Sequence, residues 1–175
     1  MESLNRSTVI DKRNIRLLDR VAYAIATGAG AGFAPVAPGT FGSMEGVGIY
    51  LALLAFPLAP QSHMALVLGA GLLFFAVGVW ASNRACEISG LKDPGEIVID
   101  EVSGQLIALT PLALAPSLAG AVLAFLLFRL FDIFKPFPIR RLESLPSGLG
   151  VMSDDVLAGV YTAALVWLAL HFHLV

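Results

Sequence analysis

The distribution of charge along the chain constrains its fold more than any other feature. Every Lys and Arg falls in one of three segments, 6–20, 84–92 and 129–141, and long stretches without any charged residue separate them. Hydrophobic residues make up 57% of the 175 residues. Charged residues make up 14%, against about 25% in soluble domains. Because so few polar side chains cannot cover a soluble surface, we predict an integral membrane protein.

The first uncharged stretch, residues 46–83, is too long for one membrane crossing. As a single helix it would measure about 57 Å, nearly twice the roughly 30 Å thickness of the hydrocarbon core. Pro57 and Pro60, with the polar residues that follow them, are the turn-forming residues inside it. We therefore expect two spans, over residues 46–60 and 64–82.

The second uncharged stretch, residues 102–128, contains Pro111 and Pro116. A single crossing here would place the basic segment that follows on the side opposite to the other two, against the positive-inside rule. We therefore expect a hairpin that turns at 111–117. A last span over 156–175 completes five spans, with all three polar segments in the cytoplasm.

The N-terminal part of the chain has a different composition. Residues 1–20 are polar and are expected to be cytoplasmic, with no secretory signal peptide. Residues 21–44 are rich in Gly and Pro, so we expect a helix to about residue 29 and then an irregular loop packed against the spans. The fold class is therefore all-α: one domain over 1–175, a membrane helical bundle of about five spans plus this irregular segment.

Five carboxylates lie where the polar segments meet the expected spans. Asp100 and Glu101 precede the third span, Asp132 follows the fourth, and Asp154 and Asp155 open the fifth. A carboxylate at the membrane boundary costs free energy to dehydrate, and a hard divalent cation held by oxygen ligands compensates for that cost. Since the three histidines belong to the opposite end, we predict that these five acids bind Mg²⁺ rather than zinc.

Basic residues accompany these acids in the segment FRLFDIFKPFPIRR. Arg129, Asp132 and Lys135 are spaced i, i+3, i+6, which places them along one side of a helix. We predict that Arg129, Lys135 and Arg140 bind phosphate oxygens of an anionic substrate while Asp132 binds the cation. The alternative, for Arg140 above all, is contact with anionic lipid head groups.

Two segments rich in Gly and Ser are expected to be loops. PGTFGS, residues 38–43, would present backbone N–H groups and the hydroxyls of Thr40 and Ser43 to an oxyanion. Residues 146–152 would form a connector or a second anion-binding turn. Ser153 is expected to be an N-cap, which makes helix capping the alternative role for Asp154 and Asp155.

Four motifs in this order resemble the bacterial phosphatidylglycerophosphatase A family: PGTFGS, IVIDE (97–101), FRLFDIFKPFPIRRLE (128–143) and GLGVMSDDVLAGVY (148–161). The resemblance implies a Mg²⁺-dependent enzyme of the bacterial inner membrane that converts phosphatidylglycerophosphate to phosphatidylglycerol at the cytoplasmic face. It also implies an all-helical fold around a central helix. The chain departs from the family pattern at Ser147, where a glycine is usual, and at Ser153, where a bulky apolar residue is usual.

The expected catalytic residues are Asp132, Asp100, Arg129 and Lys135. The metal would polarise the phosphoryl group and position water, and the two bases would neutralise developing charge. Attack by an aspartate is the competing route. A small ion- or proton-coupled transporter is the main alternative function, and a phosphotransferase of the same lipid class is a second. The net charge of −2 leaves no large basic surface for nucleic acid, and the oligomeric state stays open.

Overall fold

The computed structural model describes residues 16–175, so most of the predicted polar segment at 1–20 lies outside the described residues. Every secondary-structure element of the described part is helical, which confirms the all-α prediction. Short 3₁₀ segments follow α1 and α4, at Gly28–Phe33 and Pro111–Leu114. The α-helices of the described residues are α1 (Leu17–Ala26), α2 (Pro38–Leu54), α3 (Pro60–Ser89), α4 (Ile99–Leu109), α5 (Leu118–Phe134), α6 (Ile139–Leu142) and α7 (Ser147–His171).

The long helices alternate in direction along the bundle. The start of α4 lies beside the end of α5, because Glu101 and Arg129 approach to 3.6 Å. The chain thus reverses at 111–117, where a hairpin is expected. The start of α7 lies beside the end of α3, where the Gly148 amide donates a hydrogen bond of 2.7 Å to the side chain of Asn83. The ends that carry the charged residues therefore meet on one side of the bundle.

Helix α4 is the central helix of the fold. Every residue from Val102 to Leu109 is buried, and α2, α3 and α7 pack around it. The helix has 11 residues and is therefore about 16 Å long, too short to cross a hydrocarbon core of roughly 30 Å. The uncharged stretch that the sequence places in a membrane span thus forms, in its first half, the core of the protein.

Two helices are long and apolar enough to cross a membrane: α3 with 30 residues and α7 with 25. Helices α2 and α5 have 17 residues each, or about 26 Å, at the lower limit for a span. Large apolar side chains face outward, among them Leu73 on α3 and Leu118 and Leu126 on α5. Membrane association is supported by these two helices, and five spans stay a prediction.

Helices α4 and α7 cross at a pair of glycines. A Cβ atom on Gly159 would lie 2.4 Å from the carbonyl oxygen of Gly104, and one on Gly104 would lie 2.6 Å from that of Asp155. Only glycine allows backbones to approach this closely, an arrangement also found in tightly packed membrane helices. The contact brings Asp155, one turn before Gly159, next to the start of α4, where Asp100 lies one turn before Gly104.

Helix α1 is attached to this core by polar contacts. Arg84 on α3 donates hydrogen bonds to the Asp19 carboxylate, and this contact lowers the pKa of Asp19. The Tyr23 hydroxyl donates to Glu96 at 2.7 Å, and burial together with that carboxylate raises the pKa of Tyr23 to about 12. The backbone amide of Val98 donates to the carbonyl of Ala26. Helix α1 thereby holds the segment that leads into α4.

Three local predictions from the sequence are wrong. PGTFGS is not a loop but the start of α2, with Pro38 at the first helical position, where a proline needs no backbone donor. Residues 147–152 are not a connector, because α7 begins at Ser147. Ser153 is not an N-cap, since it lies inside α7 and its hydroxyl donates to the carbonyl of Leu149.

The glycine crossing predicts opposite effects for two Gly→Ala changes. Gly159→Ala should lower the free energy of unfolding by about 1–3 kcal/mol, because the added methyl group overlaps the α4 backbone. Gly69→Ala on α3 should leave it unchanged or raise it by up to about 1 kcal/mol, since nothing lies within 4 Å of its Cβ position. Thermal denaturation of both variants in detergent measures the difference. Equal loss in the two variants would refute the close crossing.

Candidate active site

Carboxylates from three helices meet in one pocket at the charged end of the bundle. Its volume is about 400 Å³. The start of α4 contributes two acids and the end of α5 one. Helix α7 contributes two, about two turns after its first residue. The pocket is lined by all five predicted metal ligands, Asp100, Glu101, Asp132, Asp154 and Asp155. The structure therefore brings together residues that are far apart in the sequence.

Three of these acids form a compact group. One carboxylate oxygen from each of Asp100, Glu101 and Asp155 can be chosen so that all three atoms lie within 4.8 Å of one another. Oxygens at this spacing can bind a single cation, because metal–oxygen distances are about 2.0–2.6 Å. Asp132 and Asp154 line the same pocket but form ion pairs with basic residues.

Two basic side chains from the end of α5 partly balance the acids. Arg129 contacts the Asp132 carboxylate at 2.7 Å and that of Glu101 at 3.6 Å. Lys135 donates to Asp154 at 2.6 Å and to Glu143 at 2.7 Å. Arg129 and Asp132 thus contact each other on one side of α5, as their spacing predicts, whereas Lys135 lies beyond the last residue of the helix. Lys135 directly follows α5 in a left-handed conformation.

Several carboxylate oxygens of the pocket are buried without a hydrogen-bond partner. Asp100 Oδ1, Glu101 Oε2 and Asp155 Oδ2 are inaccessible to solvent and have no hydrogen-bond partner among residues 16–175. Burial raises the pKa of Asp100 well above its usual range, and the negative charge of the adjacent Glu101 carboxylate adds to this shift. A buried carboxylate without a partner is unfavourable by several kcal/mol, so the group favours binding of a cation or a proton.

The surroundings of Lys135, unlike those of Asp100, stabilise the charged form of the side chain. Burial disfavours its charge, but the hydrogen bonds to Asp154 and Glu143 outweigh burial and raise the pKa of Lys135. The ammonium group therefore stays protonated in the pocket wall. The pocket lining therefore includes a positive charge that is held by Asp154 and Glu143.

The structure places four predicted site residues outside the pocket lining: Arg129, which contacts the acids from behind, and Thr40, Ser43 and Arg140. Thr40 is half-buried in the first turn of α2, and Arg140 is exposed on α6. The Ser43 hydroxyl donates to the Gly39 carbonyl and accepts a hydrogen bond of 3.4 Å from Arg129. Ser43 therefore contacts the same guanidinium group that pairs with Asp132. In this arrangement it helps to hold Arg129 in position.

Sequence reasoning missed three residues at the rim of the pocket. Lys92 and Asp93 come from the turn before α4, and Glu143 follows α6. The Lys92 ammonium donates to the Glu143 backbone carbonyl at 2.9 Å, which joins the two rim segments. Burial raises the pKa of Asp93. The motif Lys-Asp-Pro-Gly at 92–95 is a turn signal five residues from Asp100, and it is the signal that could have placed Asp93 near the site.

These features define an all-helical protein with an apolar outer surface and a carboxylate-lined pocket suited to a cation and an anionic group. The sequence profile of the Phosphatidylglycerophosphatase A family matches residues 24–170. The chain therefore belongs to this family, as the four motifs predict. No solved structure matches the fold significantly.

Three relatives cover most of the chain. A Bacteroides thetaiotaomicron protein, provisionally named phosphatidylinositol-3-phosphatase, is 41% identical over 83% of this chain and 91% of its own length. A Haemophilus influenzae protein named phosphatidylglycerophosphatase A is 38% identical over 89% of this chain and 91% of its own. The Escherichia coli protein of the same name is 31% identical over 85% and 83%. All three names describe phosphatases of phospholipids.

The uncompensated acids predict that one neutral substitution stabilises the metal-free protein. Asp155→Asn should raise the free energy of unfolding by about 1–3 kcal/mol in the presence of a chelator, because it removes a buried charge and supplies a donor to the nearby carboxylates. Glu87→Gln is the control, since Glu87 is exposed and pairs with Arg84 away from the pocket. Thermal denaturation in EDTA measures both. A destabilised Asp155→Asn variant would contradict the predicted repulsion.

Proposed function

We propose that this chain is a phosphoric monoester hydrolase that converts phosphatidylglycerophosphate to phosphatidylglycerol and phosphate. The observation that carries the proposal is the convergence of five carboxylates and Lys135 in one pocket of a phosphatidylglycerophosphatase A family member, with Arg129 in contact with two of the acids. The pocket volume of about 400 Å³ is in the range of small-molecule sites and suits a phosphorylated head group. The acyl chains would stay in the bilayer outside it.

The pocket fits Mg²⁺ as its cofactor. The donors of the compact group are all carboxylate oxygens, which hard cations prefer, and three of these acids carry a buried oxygen without a partner. We propose that Asp100, Glu101 and Asp155 hold the ion and that Asp132 and Asp154 complete its surroundings. When bound, Mg²⁺ would polarise the phosphoryl group and lower the charge that an incoming nucleophile meets.

The two basic residues would bind and orient the phosphate. Lys135 lines the pocket and carries a charge that is held in place by Asp154 and Glu143. Arg129 lies behind Asp132 and Glu101, so its main effect would be to fix the orientation of those carboxylates. Lys135 is therefore the residue that we assign to direct phosphate contact, and Arg129 the residue that positions the acids.

A second substrate is favoured by one observation. The relative that is 41% identical carries a name that specifies phosphatidylinositol 3-phosphate rather than phosphatidylglycerophosphate. Both lipids present a phosphate monoester on the polyol head group of an anionic phospholipid. The pocket chemistry described above suits this shared group, so both lipids belong in the test.

The experiment measures phosphate release by the purified protein from each lipid in mixed micelles. We expect release from phosphatidylglycerophosphate with Mg²⁺, loss of release in EDTA, and recovery when Mg²⁺ is restored. Asp132→Asn should lower kcat by about a hundredfold or more, because the loss of one catalytic electrostatic group typically costs 10²–10³. Glu87→Gln is the matched control and should keep its activity. Release that survives EDTA would refute the metal assignment.

The same experiment discriminates between the substrates. If kcat/KM for phosphatidylinositol 3-phosphate exceeds the value for phosphatidylglycerophosphate, the protein is a phosphatidylinositol-3-phosphatase. If the folded protein releases phosphate from neither lipid in the presence of Mg²⁺, the hydrolase proposal is refuted.

We also propose that the protein is a multi-pass protein of the bacterial inner membrane with its pocket facing the cytoplasm. Every Lys and Arg among residues 16–175 lies at the pocket end of the bundle, as the positive-inside rule requires for that orientation. The opposite end, which includes the turn between α2 and α3, carries none of these residues.

Cysteine labelling tests the orientation in intact cells. In a Cys86→Ser background, a membrane-impermeant maleimide should react with Leu58→Cys, in the turn between α2 and α3, and not with Arg140→Cys at the pocket end. Both positions are exposed, so both should react after the cells are lysed. Reaction of Arg140→Cys from outside would reverse the proposed orientation.

A further inference from the structure

A second cavity of about 670 Å³ lies between α1, α2, α3 and α4. Its walls are apolar, formed by side chains such as Val21, Ile49 and Phe74, and it contains one ionisable residue, Glu45. We call this cavity the Glu45 groove. Its volume is within the range of roughly 300–1,000 Å³ that is typical of ligand pockets.

The Glu45 groove is separate from the acid pocket. Ile99 and Val102 of α4 line the groove, whereas Asp100 and Glu101, which lie between them in the sequence, line the acid pocket. At 3.6 residues per turn, these two pairs occupy opposite faces of α4. The groove therefore cannot hold the head group whose phosphate lies in the acid pocket.

The Glu45 carboxylate lies at one end of the groove. It packs so closely on the backbone of Gly28 that a Cβ atom there would be 2.4 Å from Glu45 Oε2. From this end the groove follows α2 to Ala52, a distance of seven residues or about 10 Å. Among residues 16–175 Glu45 forms no ion pair, so a cation supplied by a ligand would complement its charge.

The groove is continuous with an exposed apolar surface. Val21 lines it and is 43% exposed, and Leu17 and Leu18 in the preceding turn are also exposed. In a bilayer such a surface contacts acyl chains, so a lipid can enter the groove from the side. Residues 1–15 are a poor occupant, since five of them are charged: Glu2, Arg6, Asp11, Lys12 and Arg13.

We propose that the Glu45 groove binds a phospholipid with a primary ammonium head group, such as phosphatidylethanolamine. Its ammonium group lies against Glu45, and one acyl chain extends along Gly48 and Ala52 toward Phe74. An anionic phospholipid binds more weakly, because it brings negative charge to Glu45 without a cation. This site is additional to the proposed hydrolysis, and lipid binding is measured without reference to activity.

The test is native mass spectrometry of the purified protein with phosphatidylethanolamine, phosphatidylcholine or phosphatidylglycerol added at equal concentration. The wild type should retain phosphatidylethanolamine about tenfold better than phosphatidylglycerol, the ratio expected when one charge-assisted hydrogen bond is gained. Gly48→Leu should abolish most of this binding, because its side chain fills the groove where nothing lies within 4 Å of the Cβ position. Gly69→Leu on α3 is the matched control and should bind normally.

Glu45→Gln tests the charge separately. This variant should still bind lipid, but its preference for phosphatidylethanolamine over phosphatidylglycerol should fall about tenfold, to near equality. The proposal is overturned if Gly48→Leu retains phosphatidylethanolamine as the wild type does, or if Glu45→Gln keeps the preference. A dimer mass that only Gly48→Leu loses would also overturn it, since a second copy would then occupy the groove.

Discussion

The contact between the backbones of α4 and α7 is the constraint on which the rest of the structure depends. Gly104 and Gly159 allow this contact, and Asp100 and Asp155 lie one helical turn before them on the same faces. The crossing therefore sets the separation of the acids. A larger residue at either glycine would push α4 and α7 apart, and with them the carboxylates of Asp100 and Asp155.

Charge segregation is the second organising principle. The apolar helices carry almost no charged side chains, and the acids and bases of residues 16–175 gather at one end, with Glu45 as the acid that stands apart. This arrangement opposes the transporter alternative, because transport across a bilayer requires polar sites along the path. It favours chemistry at a surface, where a lipid head group and a water-soluble product are both accessible.

The sequence predicts the pocket better than it predicts the helix boundaries. Positive-inside reasoning located the turn at 111–117 and thereby placed Asp132 next to Asp100, since only a hairpin brings them to the same end. The boundaries of α2 and α7 were missed because Gly and Ser at 38–43 and 147–150 have low helix propensity, which tertiary packing against α4 and α3 overrides. Asp93 was missed because its proximity arises from a turn held by α1.

The shortness of α4 has a consequence for how the protein is made. Helix α4 has 11 residues and two carboxylates in its first turn, so it would insert poorly into a bilayer by itself. Helices α3 and α7 are long enough to insert alone. In the proposed membrane-embedded protein, α4 would therefore enter the bilayer together with its neighbours. The acid pocket, which combines residues of α4, α5 and α7, forms only when these helices have packed together.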